Sequence, residues 1–400
     1  MRVCRMKMIF AEKLSLVFGC NQHVITQAVI FFSTAGGHRS RKCRSKRDSA
    51  CKKWEEKFSI FACKNMLSDQ LLPLYDAFPV KQLHKEYIRA GADVVQAFTF
   101  YSTDDKLNLP GHEAGGTITC KELNRQACTI AEKVVGESDV LICGALSPTP
   151  SYTEGKGKEA VQREFSKQVE VFVEHDVDFL LAEFIGCIEE AEWAIELLKS
   201  TGKPVACTLR TGPVGDNSGV PAGECAVRMA KAGADVIGVN CKFDPTTCLK
   251  TVRMMREALD REGLSPFLMV QPVGFHCPEV EMQHEGYGML PENPFALEPR
   301  QLTRFDVHKF ARAAYELGVR YIGGCCGFEP HHIRAIAEEL SAERGGRLGE
   351  GSKKHVPWGG ALTSSVLGTN RAKASREHWE GMQPASGRPG HPNLQPKLMD

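Results

Sequence analysis

From residue 79 onward, short apolar runs alternate with amphipathic stretches. The runs Asp93–Phe98, Val140–Leu146, Phe179–Phe184, Val205–Leu209, Val236–Cys241, Phe267–Val273 and Tyr321–Cys326 are rich in β-branched, aliphatic and aromatic residues. Their hydrophobicity is nearly continuous, which is the signature of strands buried on both faces. Between them, Lys81–Arg89, Glu164–Glu174, Glu189–Lys199, Cys225–Lys231, Cys248–Asp260, Val307–Leu317 and His332–Leu340 carry helical periodicity. Ala90-Gly91-Ala92-Asp93, Ala232-Gly233-Ala234-Asp235 and Leu317-Gly318-Val319-Arg320 each place a glycine between a helix and the next strand, as a helix C-terminal cap requires.

Strict β-α alternation predicts a parallel sheet. Seven recognisable strands fall one short of a (β/α)8 TIM-type barrel, and a doubly wound sheet is the alternative. The polar residues favour the barrel, because Thr99, Tyr101, Ser147, Glu183, Arg210, Asn240, Gln271, Cys325 and Cys326 all fall at or just past the C-terminal ends of strands. That end is the active face of such a barrel. The first strand is therefore expected to be atypical or missing, with Val24–Phe32 the one plausible substitute.

Composition narrows the class. The chain has 400 residues, 42% apolar and 25% charged, with a net charge of +1. This describes a globular chain without a general pull toward nucleic acid or membrane. No apolar run reaches the roughly 18 residues of a membrane span. Sixteen cysteines lie mostly inside apolar segments without small-domain spacing, so reduced thiols and a cytoplasmic location are expected. Residues 1–78 break the β-α pattern. Their basic stretch, His38–Lys57, reads as a solvated face, with a transit peptide as the alternative for the Arg- and Ser-rich start. Residues 346–400 are rich in Gly, Ser, Pro and Arg and read as an extended arm.

Cys325 and Cys326 close one strand, and Cys241 closes another. Buried cysteines can be plain core, and a vicinal disulfide is a further option. Gly323, Gly324 and Gly327 around the pair permit a tight backbone approach that core packing alone does not demand. Three thiolates converging at a barrel mouth would form an open zinc site with one vacant position. Glu183, after the run Phe179-Leu180-Leu181-Ala182, suits a substrate amine or a salt bridge to a loop arginine such as Arg210. Phe98 and Phe100 share a face and read as core, while Tyr101 opens into the loop. The other reading is an aromatic cage for a quaternary ammonium.

These segments resemble the betaine–homocysteine S-methyltransferases. The resemblance is carried by Phe98-Thr99-Phe100-Tyr101 with Asp105-Lys106, Ala182-Glu183-Phe184 with Glu189-Glu190-Ala191, Gly223 through Arg228, Gly238-Val239-Asn240-Cys241, and Gly318 through Leu340. It covers residues 79–345, the expected barrel, and extends loosely to Ala385-Ser386-Gly387-Arg388-Pro389 in the arm. The resemblance implies zinc held by Cys241, Cys325 and Cys326, and methyl transfer from betaine to homocysteine giving dimethylglycine and methionine. It places Glu183, Thr99 and Asn240 on homocysteine and Phe100, Tyr101 and Phe184 on the methyl donor. It also implies a homo-oligomer in which residues 346–400 embrace a partner barrel; Trp358 and Trp379 are the expected anchors, because aromatic residues dominate such contacts.

Two departures bear on the donor. The family's acidic-Gly-Gly turn on the first strand and the tryptophan of its betaine pocket have no counterpart in residues 1–78. The family's tyrosine after the strand-end glutamate is Phe184 here, which removes a hydroxyl and is expected to raise the Michaelis constant for betaine. A sister group uses S-methylmethionine but lacks the tyrosine matching Tyr101. S-methylmethionine-dependent transfer and a catalytically impaired zinc-binding homologue are the alternatives.

Overall fold

The computed structural model describes residues 25–28, 77–109, 118–136, 138–294 and 296–349. Eight parallel strands form a closed barrel in sequential order: β1 Ile25–Ala28, β2 Val94–Gln96, β3 Leu141–Leu146, β4 Phe179–Ile185, β5 Val205–Leu209, β6 Val236–Asn240, β7 Phe267–Gln271 and β8 Val319–Gly324. The long helices are α1 Ala77–Ala90, α2 Cys120–Val135, α3 Lys158–Glu174, α4 Ile188–Ser200, α5 Ala222–Lys231, α6 Pro245–Arg261, α7 Arg304–Glu316 and α8 Pro330–Glu339. The seven predicted strands appear within one or two residues at nearly every boundary. The eighth lies inside the Val24–Phe32 run and closes the sheet, with Gln27 opposite Val94 and Ile25 opposite Tyr321. The first strand is thus present and short, with four residues. The arm anchors Trp358 and Trp379 and nearly all of residues 1–78 and 346–400 lie outside the described residues.

Strand periodicity assigns every side chain to one of two cores. Leu180, Ala182, Ile237, Val239 and Ile322 face outward into the apolar layer beneath the helices. Their neighbours Phe179, Leu181, Val236, Met269 and Tyr321 fill the barrel lumen. Continuing the alternation by two or four residues carries Gln96, Glu183, Thr208, Asn240, Gln271 and Cys325 onto the lumen side at the C-terminal rim.

The helix α2 was not among the predicted helices. Its start is nonetheless written in the sequence as a capping box. The Glu122 N–H donates to Thr119 Oγ1 at 3.2 Å, and Glu122 Oε2 accepts the Thr119 N–H at 2.9 Å. Both satisfy donors that a helix start leaves unpaired. Thr119→Ala should lower stability by about 1 kcal/mol, and Thr119→Ser should cost little. Denaturant titration of both variants checks this, and equal losses would mean that the hydroxyl is not the capping group.

Candidate active site

The rim residues converge on the ends of β6 and β8. Cys241 follows β6 and Cys325 and Cys326 follow β8, with β7 between the two strands. The sulfurs of Cys241 and Cys326 lie 3.4 Å apart, and all three sulfurs lie within 4.8 Å of one another. All three are free thiols, so no vicinal disulfide links the pair. Gly324 lets the chain turn here, since a Cβ on it would sit 1.9 Å from Cγ of Phe328.

The donor set fits a metal. Zinc with four tetrahedral ligands and Zn–S bonds of about 2.3 Å would hold sulfurs roughly 3.8 Å apart, a spacing that the 3.4–4.8 Å range brackets. Soft sulfur donors suit a borderline-soft ion rather than magnesium or calcium. Burial opposes ionisation of Cys241, but hydrogen bonds from Cys325, Cys326 and the Lys242 N–H, with the Lys242 charge, bring its thiol well below the ordinary value. Burial together with the proximity of Cys241 pushes Cys325 up, and the contact with Cys241 does the same to Cys326. The first proton therefore leaves easily, and the next two require a compensating positive charge.

Other side chains brace this cluster. Asn240 Oδ1 accepts the Phe184 N–H at 2.9 Å, and its Nδ2 points at the Cys325 sulfur at 3.9 Å. Its carboxamide thus links the cysteine cluster to the Phe184 backbone. The Tyr287 hydroxyl hydrogen-bonds with the Cys326 sulfur. Tyr287 was not singled out from the sequence, because it sits in a 3-10 turn, Gly286–Met289, beyond any strand pattern.

The aromatic residues assemble beside the thiols. Phe184 packs in the same apolar cluster as Cys241, Cys325 and Cys326. Its ring meets Phe100 edge to face at 5.7 Å, and Phe100 meets Tyr101 at 4.2 Å. Tyr101, Phe184, Cys241 and Lys242 all adopt left-handed backbone, with φ between 56° and 62°. Such conformations cost non-glycine residues energy and recur where a site dictates side-chain direction. Burial pushes the Tyr101 hydroxyl up to about 12, against the pull of the Arg210 charge.

Glu183 stands in the lumen, fully buried. Gln96 Nε2 donates to its Oε1, while Oε2 has no hydrogen-bond partner. Gln96 was also absent from the predicted site. The alternative reading of Glu183, a salt bridge to Arg210, does not form among the described residues, where the Arg210 ion pair runs to Glu285. Thr99 is buried, but its hydroxyl donates to the carbonyls of Ala145, at 2.8 Å, and Ala97, at 3.3 Å. It ties the β2 loop to β3 and keeps only lone pairs for a ligand.

Burial pushes the Glu183 carboxyl up to about 8, with the Gln96 hydrogen bond opposing and the Cys241 charge adding. A raised folded-state value means that stability is fully present below the unfolded value near 4.3 and is lost as pH rises through 8. Metal-free Glu183→Gln should therefore gain stability relative to the parent as pH rises from 5 to 9. Denaturation midpoints at both ends of that range measure it. An unchanged difference would show that Glu183 is ionised in the folded chain.

Comparison with known proteins agrees with this geometry. The family model described as homocysteine S-methyltransferase matches residues 42–340, so the match begins upstream of residue 79. The betaine–homocysteine S-methyltransferase 1 of Danio rerio is 53% identical over 315 residues, 79% of this chain and 78% of that protein. The S-methylmethionine–homocysteine S-methyltransferase BHMT2 of Pongo abelii is 49% identical over 79% of this chain and 84% of its own. Among solved structures, the metallated form of the homocysteine methyltransferase MmuM from Escherichia coli superposes with a TM-score of 0.52 at 18% identity. That superposition covers 72% of this chain and 93% of MmuM, and it bears out the barrel fold. The chain belongs to the homocysteine S-methyltransferase family.

Proposed function

We propose that this protein transfers a methyl group from betaine to the sulfur of homocysteine, using zinc held by Cys241, Cys325 and Cys326. The observation that carries the reading is the contact between three clustered thiols and an aromatic wall of Phe184, Phe100 and Tyr101. A sulfur nucleophile and a quaternary ammonium need these two surfaces side by side. Relatives of both donor types exceed or approach half identity. Phe100 and Tyr101 favour betaine, because aromatic faces hold a trimethylammonium group that cannot donate a hydrogen bond.

When bound, zinc would keep the homocysteine sulfur as thiolate at neutral pH, as it does for bound water. The remaining work belongs to the chain. The free Oε2 of Glu183 receives the amino group of homocysteine, and the arriving positive charge draws the carboxyl back to its ionised form. Asn240 fixes the Phe184 backbone relative to Cys325, setting the distance between nucleophile and donor. The new sulfur–carbon bond forms as the carbon–nitrogen bond breaks, and nitrogen keeps the electron pair. No proton moves, so alignment replaces a general base. Dimethylglycine loses the permanent charge that the aromatic wall favours, and methionine has a thioether, a far weaker ligand than a thiolate.

Assembly and location are part of the reading. Residues 346–400 would join a second copy of the chain, on the strength of the family resemblance, and a reducing cytoplasm would keep the thiols available.

The purified protein should hold about one zinc per chain, and Cys241→Ala, Cys325→Ala and Cys326→Ala should each lose most of it together with methionine formation. With homocysteine saturating, betaine should be used in preference to S-methylmethionine. Full zinc occupancy in the Cys325→Ala, Cys326→Ala double variant would refute the metal site, and preference for S-methylmethionine would refute the donor. Deleting residues 346–400 should lower the sedimentation coefficient to that of a single chain, and an unchanged value would remove the arm from the interface.

A further inference from the structure

We infer that Arg210, with Lys242 beside it, binds the carboxylate of the methyl donor and selects a compact zwitterion over a net cation. The inference rests on the methyl-transfer reading above and adds the group that recognises the donor's negative end.

Arg210 is the first residue beyond β5 and stands on the lumen side of the rim, two positions past Thr208. Its guanidinium carbon lies 5.1 Å from the centre of the Phe184 ring, and the Lys242 Nζ lies 5.9 Å from the same centre. With Glu285 ion-paired to both, Arg210 and Lys242 leave one net positive charge beside the aromatic wall. A ligand with net positive charge would be repelled there. A ligand joining a quaternary ammonium to a carboxylate gains from both surfaces.

The seat of Arg210 is built into the backbone. A Cβ at Gly186 would meet Arg210 Nη2 at 2.9 Å and Nε at 3.0 Å, as well as Asn217 Nδ2 at 2.9 Å. The glycine leaves the space that the guanidinium occupies. Within that seat, Arg210 Nε is buried without a hydrogen-bond acceptor, a costly state for a donor unless a ligand supplies one. Nearby carboxylates are engaged elsewhere. Glu285 reaches Arg210 only at 4.0 Å, and its other oxygen pairs with Lys242. Glu190 accepts the Thr149 N–H at 2.9 Å, and both oxygens of Asp216 accept backbone N–H groups of Ile188, Ser218 and Val220.

The geometry discriminates between the candidate donors. In betaine one methylene separates ammonium from carboxylate, so the aromatic wall and the Arg210 fork can be engaged together, and the molecule is neutral overall. S-methylmethionine places two methylenes between its sulfonium and the carbon bearing the carboxylate. It also puts an ammonium beside that carboxylate and, with its sulfonium, carries a net positive charge, which Arg210 and Lys242 oppose. A guanidinium fork also provides the charged donor that Phe184, lacking a hydroxyl, does not.

The test uses the zinc-loaded, full-length protein with homocysteine saturating. Arg210→Gln should raise KM for betaine about tenfold or more, the loss expected for one hydrogen bond between charged groups. Zinc content and KM for homocysteine should not change. Tetramethylammonium, which has no carboxylate, should inhibit Arg210→Gln as well as or better than it inhibits the parent. Arg210→Lys, which keeps the charge and loses the fork, should fall between them and serves if the glutamine variant does not fold. An unchanged KM for betaine, or parallel loss of betaine and tetramethylammonium binding, would overturn the inference while leaving methyl transfer intact. A parent that uses S-methylmethionine and not betaine would instead overturn the donor reading and this inference with it.

Discussion

Hydrogen bonding of β1 to both β2 and β8 leaves the sheet no free edge, and in a closed barrel alternate side chains have no destination but the lumen. That closure makes the rim a ring instead of a row. It brings β6, β7 and β8 side by side, so Cys241 and the pair Cys325 and Cys326 approach within bonding distance of a common ion although 84 residues separate Cys241 from Cys325 in sequence. The same closure turns Glu183, on β4, toward Gln96, on β2, with β3 between them, and so determines which carboxylate oxygen is satisfied and which stays open.

Closure also lowers the local dielectric, and the titration behaviour of the rim follows from that. A fully buried carboxyl with one neutral donor prefers its proton, as Glu183 does. A cluster of buried thiols gives up one proton to its internal hydrogen bonds and keeps the others. Both groups would be stabilised in their ionised forms by an arriving positive charge. The left-handed backbone at Tyr101, Phe184, Cys241 and Lys242 is where the chain departs from its preferred conformation to reach this arrangement.

The sequence made the barrel legible because seven of its strands are buried on both faces and announce themselves by apolar continuity. The strand β1 carries Thr26 and Gln27 in its middle, so it lacks the apolar continuity of the others, and it stands apart from any β-α alternation in residues 1–78. Within the site, Cys241, Cys325, Cys326, Glu183 and the aromatic residues stood out because each breaks the chemistry of a strand end. Arg210 stood out for the same reason, yet its partner could not be chosen. Glu183 and Phe184 are adjacent in sequence, and the strand pleat with the turn of Phe184 to positive φ sends them to different places. Gln96 and Tyr287 were not legible at all. One is an ordinary polar residue ending a strand of three, and the other lies in a turn region where periodicity carries no signal. The helix α2 is legible both in Thr119-x-x-Glu122 and in the helical spacing of its buried Leu123, Ala127, Ile130, Ala131 and Val135, although it is not among the predicted helices.

On the proposed reaction, the two substrates are bound by two kinds of contact that respond differently to turnover. Methyl transfer destroys one negative charge on sulfur and one positive charge on nitrogen. Contacts to those atoms, from the cysteine cluster and from Phe100, Tyr101 and Phe184, weaken as the reaction proceeds. The other ends of both molecules do not react. The ammonium facing Glu183 and the carboxylate facing Arg210 keep their charges in substrate and product alike, so these contacts bind uniformly and orient without contributing to the chemical step. Such contacts must be strong enough to align sulfur, carbon and nitrogen, yet weak enough to let product go. A lone carboxylate oxygen on a fully buried glutamate and a single arginine still partly open to solvent, with 22% of its side chain exposed, fit that compromise.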